Sequence, residues 1–116
     1  MRRAIAALLL SLAASAAMAH ADIKQSVPAQ GAVLKAPIQE VSITFNEKVE
    51  AMFTSATLST DIGVPVQTGK AALDPANPTI LRMAVPVLAS GKYVIKWNAV
   101  GHDGHRRTGM IRFSVR

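Results

Sequence analysis

The 116-residue chain contains no cysteine, and aromatic residues make up only 4% of it. The absence of cysteine excludes disulfide bonds, thiolate zinc sites, iron–sulfur clusters and cysteine nucleophiles. Half of the residues are hydrophobic and 17% are charged, a balance that predicts a globular fold rather than a disordered chain. The length predicts a single domain.

Residues 1–19 have the three parts of a secretory signal peptide. Arg2 and Arg3 supply positive charge, an uncharged run of small and apolar residues follows over 4–16, and 17–19 read Ala-Met-Ala, a pattern that signal peptidase recognises. The apolar run is shorter than the roughly 20 residues of a membrane span. We therefore expect a signal peptide over 1–19 that is cleaved off, and a mature chain over 20–116 that has no stable membrane insertion.

The positive charge of the chain is scattered. Removal of 1–19 takes away Arg2 and Arg3 and lowers the formal net charge from +6 to +4. In the mature chain only Arg106 and Arg107 are adjacent cations, and no basic stripe is visible. Nucleic-acid binding is therefore not expected of this exported chain.

The mature chain alternates apolar and polar residues in several short segments. Alternation predicts strands with one buried face over 40–47, 92–100 and 109–116, and weaker patterns predict strands over 53–60 and 79–85. The single Trp97 and the single Tyr93 fall on the same face of one strand, which predicts that both lie in the core. Six or seven strands without a helical pattern favour a β-sandwich or Greek-key barrel.

The three histidines carry the chemistry that the sequence offers. Cleavage after residue 19 would make His20 the first residue, with an α-amine and an imidazole that can chelate one metal ion. Asp103, Gly104 and His105 follow His102 in the segment between the last two predicted strands. We expect His20, Asp103 and His105 to be the metal ligands, and His102 to be a surface or supporting residue.

The predicted donors are three nitrogens and one oxygen. Such a set suits tetragonal Cu(II), which also heads the affinity order of the divalent ions. Zinc is the second choice for histidine and carboxylate ligands.

The mature chain resembles the CopC family of periplasmic copper-resistance proteins over essentially all of residues 20–116. The most specific part is the Asp-x-His motif ahead of a Gly-x-x-x-Phe-x-Val strand. The matching segments are His20-Ala21, Ser26-Val27-Pro28-Ala29-Gln30-Gly31, Val41-Ser42-Ile43-Thr44-Phe45-Asn46-Glu47, Leu88-Ala89-Ser90-Gly91-Lys92-Tyr93, Trp97-Asn98-Ala99-Val100, Asp103-Gly104-His105, and Gly109 with Phe113-Ser114-Val115.

The resemblance implies an immunoglobulin-like, seven-stranded Greek-key β-sandwich that carries Cu(II) in the periplasm and is not an enzyme. It assigns the amine and imidazole of His20, the carboxylate of Asp103 and the imidazole of His105 to the copper ion, and it suggests a CopD-type inner-membrane permease as a partner. Family members with a second, Cu(I) site use a methionine cluster with a histidine. Here that region holds Met52 alone, so the chain resembles the kind with a single Cu(II) site.

Two other functions stay open at this point. A metal-free immunoglobulin-like structural or interaction module would leave His20, Asp103 and His105 far apart. A copper-dependent oxidative enzyme could also use an N-terminal histidine chelate, although a carboxylate ligand such as Asp103 would disfavour Cu(I) and oxygen activation. Arg106 and Arg107 stand where the family commonly has proline after the motif histidine.

Overall fold

The alternating segments of the sequence form strands in the computed structural model, which describes residues 21–116. This part of the chain has eight strands and one short 3-10 helix, Ala51–Phe53, and contains no helix long and apolar enough to cross a membrane. The strands are β1 (Ile23–Val27), β2 (Val33–Leu34), β3 (Glu40–Phe45), β4 (Ser55–Thr60), β5 (Ala72–Leu73), β6 (Ile80–Ala84), β7 (Gly91–Val100) and β8 (Arg106–Val115).

The strands form two four-stranded sheets. The first sheet has the order β1-β3-β6-β5 and is antiparallel throughout; the second has the order β2-β8-β7-β4, with β2 parallel to β8. From β1 to β5, successive strands alternate between the two sheets. The prediction of an all-β sandwich is confirmed.

The strand count and some boundaries differ from the prediction. The described residues contain eight strands rather than seven, because β2 and β5 are two residues long and too short to show alternation. The predicted strand over 53–60 begins only at Ser55, since Phe53 ends the 3-10 helix and is half exposed. β8 begins at Arg106 rather than at Gly109, because its first residues pair with the end of β7 although they carry no apolar pattern.

Trp97 and Tyr93 lie in the core between the two sheets, as predicted. Trp97 meets Phe45 of the opposite sheet edge-on at 5.5 Å between ring centroids, and Tyr93 stacks on Phe113 of the neighbouring strand at 5.5 Å. The Tyr93 hydroxyl donates a hydrogen bond to the Ala89 carbonyl at 2.6 Å, so its polar end is satisfied. Around these rings pack the buried aliphatic side chains, among them Val41, Ile43, Leu58, Leu81, Met83, Ile95 and Ile111.

The outer face of the first sheet carries a three-membered ion network. Arg82 contacts Asp74 through Nε and Glu40 through a terminal nitrogen, each at 2.8 Å. The hydrogen bond from Arg82 lowers the pKa of the Asp74 carboxyl, and the backbone amides of Ala76 and Asn77 act in the same direction. The Asp74 carboxylate thus contributes stability at neutral pH that is lost as the pH falls through its lowered folded pKa.

We expect Arg82→Gln to raise the pKa of Asp74 toward its ordinary value, because the largest cause of its lowering is removed. The measurement is an NMR titration of the carboxyl carbon of Asp74. The matched control is Glu40→Gln, which keeps the Arg82–Asp74 contact and should leave that pKa low. An unchanged Asp74 pKa in Arg82→Gln would contradict the assignment.

Candidate metal centre

The segment between β7 and β8 is a closed turn at one end of the sandwich. Gly101 forms a bridge with Val49, the Gly104 amide donates to the Gly101 carbonyl at 3.0 Å, and the Gly101 amide donates to the His105 carbonyl at 3.2 Å. Gly104 has a φ of 80°, a left-handed conformation that favours glycine. Residues 101–105 therefore form a turn rather than an extended strand.

The turn nevertheless brings Asp103 and His105 into direct contact. Asp103 Oδ2 lies 3.0 Å from His105 Nδ1, and Asp103 Oδ1 accepts a hydrogen bond from the His105 backbone amide at 3.0 Å. One carboxylate therefore holds both the backbone and the ring of the histidine. A carboxylate on one ring nitrogen orients an imidazole for metal binding through the other nitrogen, here Nε2.

A second carboxylate, which sequence reasoning gave no role, reaches the same turn. Glu47 Oε1 is buried and has no hydrogen-bond partner among the described residues. A Cβ atom added to Gly101 would overlap this oxygen and would lie 3.0 Å from Asp103 Oδ1, so both carboxylates reach the Cα of Gly101. Glycine at 101 leaves room for both carboxylates beside the backbone of the turn. A buried carboxylate oxygen without a partner is costly unless a cation or donor compensates it.

The inward orientation of Glu47, although not its approach to the 101–105 turn, could have been found from the sequence pattern. Val41, Ile43 and Phe45 all point into the core, and Glu47 is the next residue with the same two-residue spacing. A carboxylate that continues an inward-facing series at the end of a strand is unusual, because charged groups are seldom buried without a partner.

The first described residues reach the same end of the sandwich. Ala21 is completely buried, and Asp22 exchanges two hydrogen bonds with Asn46, whose backbone amide donates to the Asp22 carbonyl at 2.9 Å and whose Oδ1 accepts from the Asp22 amide at 2.9 Å. Arg107 approaches the Asp22 carboxylate at 3.6 Å. Three segments of the chain, 21–22, 46–50 and 101–107, therefore converge there.

His102 lies apart from the Asp103–His105 pair. Its Nδ1 is 3.6 Å from Glu50 Oε1, and its side chain is 63% exposed. Within residues 21–116 no three histidine or acidic side chains are grouped closely enough to hold a metal ion. His20 and residues 1–19 lie outside the described part of the chain, so the predicted signal peptide and the predicted His20 ligand stay predictions.

These observations define a class of protein: a small β-sandwich with a carboxylate–histidine pair in the turn between its last two strands. Residues 23–116 match the CopC domain. The chain belongs to the CopC family.

Individual relatives agree with this membership. The chain is 30% identical to protein YobA of Escherichia coli strain K12, over 100% of this chain and 94% of that protein. Among solved structures, CopC from Methylosinus trichosporium OB3b is 27% identical with a TM-score of 0.76, over 83% of this chain and 93% of that one. PcoC, described as a methionine-rich copper resistance protein from Escherichia coli, is 31% identical with a TM-score of 0.71, over 84% and 100%.

Proposed function

We propose that the mature chain, residues 20–116, is a periplasmic protein that binds one Cu(II) ion as cargo and buffers or delivers it without catalysing a reaction. The contact between Asp103 and His105 carries the proposal, since a carboxylate that orients an imidazole is a common element of metal sites. Membership of the CopC family and the description of PcoC as a copper resistance protein support copper as the cargo.

The proposed ligands are the α-amine and imidazole of His20, the Nε2 atom of His105 and the carboxylate of Asp103. The burial of Ala21, which follows His20 in the sequence, and the hydrogen bonds of Asp22 to Asn46 support an approach of the mature N-terminus to the turn. Nitrogen and oxygen donors without thiolate favour Cu(II) among the divalent ions.

The buried Oε1 of Glu47 supports the fit of a cation at this place. The oxygen lies beside Gly101 with no hydrogen-bond donor among the described residues, and a nearby positive ion would offset the cost of its burial. Glu47 would act here by its charge.

The methionines of the described residues support a single Cu(II) site. Met52 is 88% exposed, Met83 is buried in the core, and Met110 lies on the outer face of β8. Their placement on different faces does not provide the cluster of soft thioether ligands that Cu(I) prefers.

The signal pattern over 1–19 supports export, and a CopD-type inner-membrane permease is the proposed recipient of the copper. Delivery to such a partner requires that the metal centre be accessible, and the His105 side chain is 53% exposed.

The test is a measurement of the mature N-terminus followed by a copper titration. We expect the intact mass of the exported protein to correspond to residues 20–116, and this protein to bind one equivalent of Cu(II) with nitrogen hyperfine structure in the electron paramagnetic resonance spectrum. A mass that corresponds to a chain beginning at Asp22 would show that the mature protein lacks His20, and the His20 chelate would then be excluded from the site. The absence of a stoichiometric Cu(II) site in a protein that begins at His20 would contradict the proposed function itself.

A further inference from the structure

The outer face of the second sheet is positively charged. On β7 and β8, the side chains that point away from the core carry this charge. Across the two strands they pair as Lys92 with Ser114, Lys96 with Met110, Arg112 with Val94, and Arg106 with Val100. Lys92, Lys96, Arg106 and Arg112 are all exposed. Four cations therefore line one face of two neighbouring strands.

These cations are not neutralised within the described part of the chain. None of the four forms an ion pair there, whereas Arg82 on the first sheet is paired with both Glu40 and Asp74. The one carboxylate that lines the grooves of the basic face is Asp61, in the turn after β4 at the far end from the 101–105 turn. Because unpaired like charges repel one another, binding of an anionic partner would lower the electrostatic energy of this face.

A groove on this face offers neutral hydrogen-bond donors beside the charge. It has a volume of about 550 Å³ and is lined by the hydroxyls of Ser55, Thr57 and Thr108 and by Asn98 and Lys96, while Met110 supplies apolar contact. Hydroxyl, amide and ammonium groups together suit carboxylates and the peptide backbone that bears them.

We infer that the outer face of β4, β7 and β8 is a docking surface for an acidic segment of a partner protein. A polypeptide fits better than an anionic membrane. A membrane-binding face presents several large apolar side chains for insertion, whereas Met110 is the one exposed large apolar residue on these three strands.

The docking surface adjoins the candidate metal centre. β7 ends at Val100 and β8 begins at Arg106, so the turn that holds Asp103 and His105 continues directly from the strands of the basic face. A partner bound there would stand next to the metal centre. The inference does not require copper binding, and it is tested without copper so that it can fail independently of the proposed function.

The test uses the ¹⁵N-labelled exported protein, titrated with poly-L-glutamate at low and at physiological salt. We expect amide shifts concentrated on β4, β7 and β8, with weaker binding at the higher salt concentration. The variant Lys96→Glu with Arg112→Glu should weaken binding about tenfold or more, because two attractive charges become repulsive. The matched control, Lys24→Glu with Lys70→Glu, changes the net charge equally and lies away from this face, so it should bind nearly as the wild type does.

Equal weakening by both double variants, or shifts spread over both sheets, would overturn the inference, since net charge alone would then explain binding. Absence of poly-L-glutamate binding would overturn it as well. Binding to phosphatidylglycerol vesicles with the same dependence on Lys96 and Arg112, but without peptide binding, would replace the protein partner by a membrane. If the charge-reversed variant does not fold, Lys96→Gln with Arg112→Gln against Lys24→Gln with Lys70→Gln gives the same comparison.

Discussion

The His105→Ala variant of the mature chain is expected to bind Cu(II) at least about 100-fold more weakly than the wild type, while His102→Ala stays within about threefold of it. Loss of a group that only supports a metal ligand already costs about 10–100-fold in affinity, and His105 is proposed as a ligand itself. The measurement is a competition titration of Cu(II) against a chelator of known affinity.

The two histidines make a matched pair because they share a turn but differ in surroundings. His105 contacts Asp103 at 3.0 Å and so has a fixed ring, whereas His102 faces Glu50 at 3.6 Å and is more exposed. Each substitution removes one imidazole, and neither changes the net charge of the protein when that histidine is neutral. Equal losses in the two variants would mean that copper binds nonspecifically to the turn, and a loss confined to His102→Ala would exchange their roles.

The substitution Asp103→Asn distinguishes two roles that the Asp103 carboxylate can have at the metal centre. If it binds copper, Asp103→Asn removes a ligand charge and lowers affinity at every pH. If its chief role is to hold His105, the amide oxygen of asparagine can still accept the hydrogen bond of the backbone amide, and the loss is smaller. The electron paramagnetic resonance spectrum distinguishes these cases, because a change of equatorial donor alters its parameters.

The parts of the fold that the sequence predicted are those in which local pattern and tertiary structure agree. β3 alternates cleanly because one of its faces lies in the core, so the pattern of Val41, Ile43 and Phe45 was sufficient to place it. β7 was placed by its core-facing Tyr93 and Trp97, although its burial does not alternate throughout. β2 and β5 exist through pairing with β8 and β6 and carry no pattern of their own. Their residues could not be recognised as strands before the partners were known.

The candidate site shows the same division. Asp103 and His105 are two residues apart, so a local motif was enough to group them. Glu47 joins them only because the bridge between Val49 and Gly101 brings a distant segment to the turn. The hydrogen bonds between Asp22 and Asn46 depend in the same way on the pairing of β1 with β3. Contacts that depend on strand pairing are not visible in spacing along one sequence.

Gly109→Ala is expected to lower the free energy of unfolding by about 2–3 kcal/mol, because the added methyl group overpacks the core beside Trp97. A Cβ atom at 109 would lie 2.6–2.7 Å from three atoms of the Trp97 indole, which is only 7% exposed and packs against Phe45. The ring cannot move away without disturbing the contact between the two sheets, because core side chains are closely packed. Urea unfolding followed by tryptophan fluorescence or circular dichroism measures the change.

The same substitution in a Trp97→Phe background tests the cause. The smaller ring leaves room beside residue 109, so Gly109→Ala should cost clearly less there than in the wild type, and the difference measures the coupling between the two positions. An equal cost in both backgrounds would show that the loss arises from the backbone of β8 rather than from overlap with the indole.

The destabilised Gly109→Ala variant also tests whether Cu(II) binding tolerates a loosened sandwich. Trp97 and Gly109 pair on the two strands that lead into the 101–105 turn. We expect Cu(II) to raise the unfolding midpoint of this variant, since an ion bound only by the folded chain stabilises it by mass action.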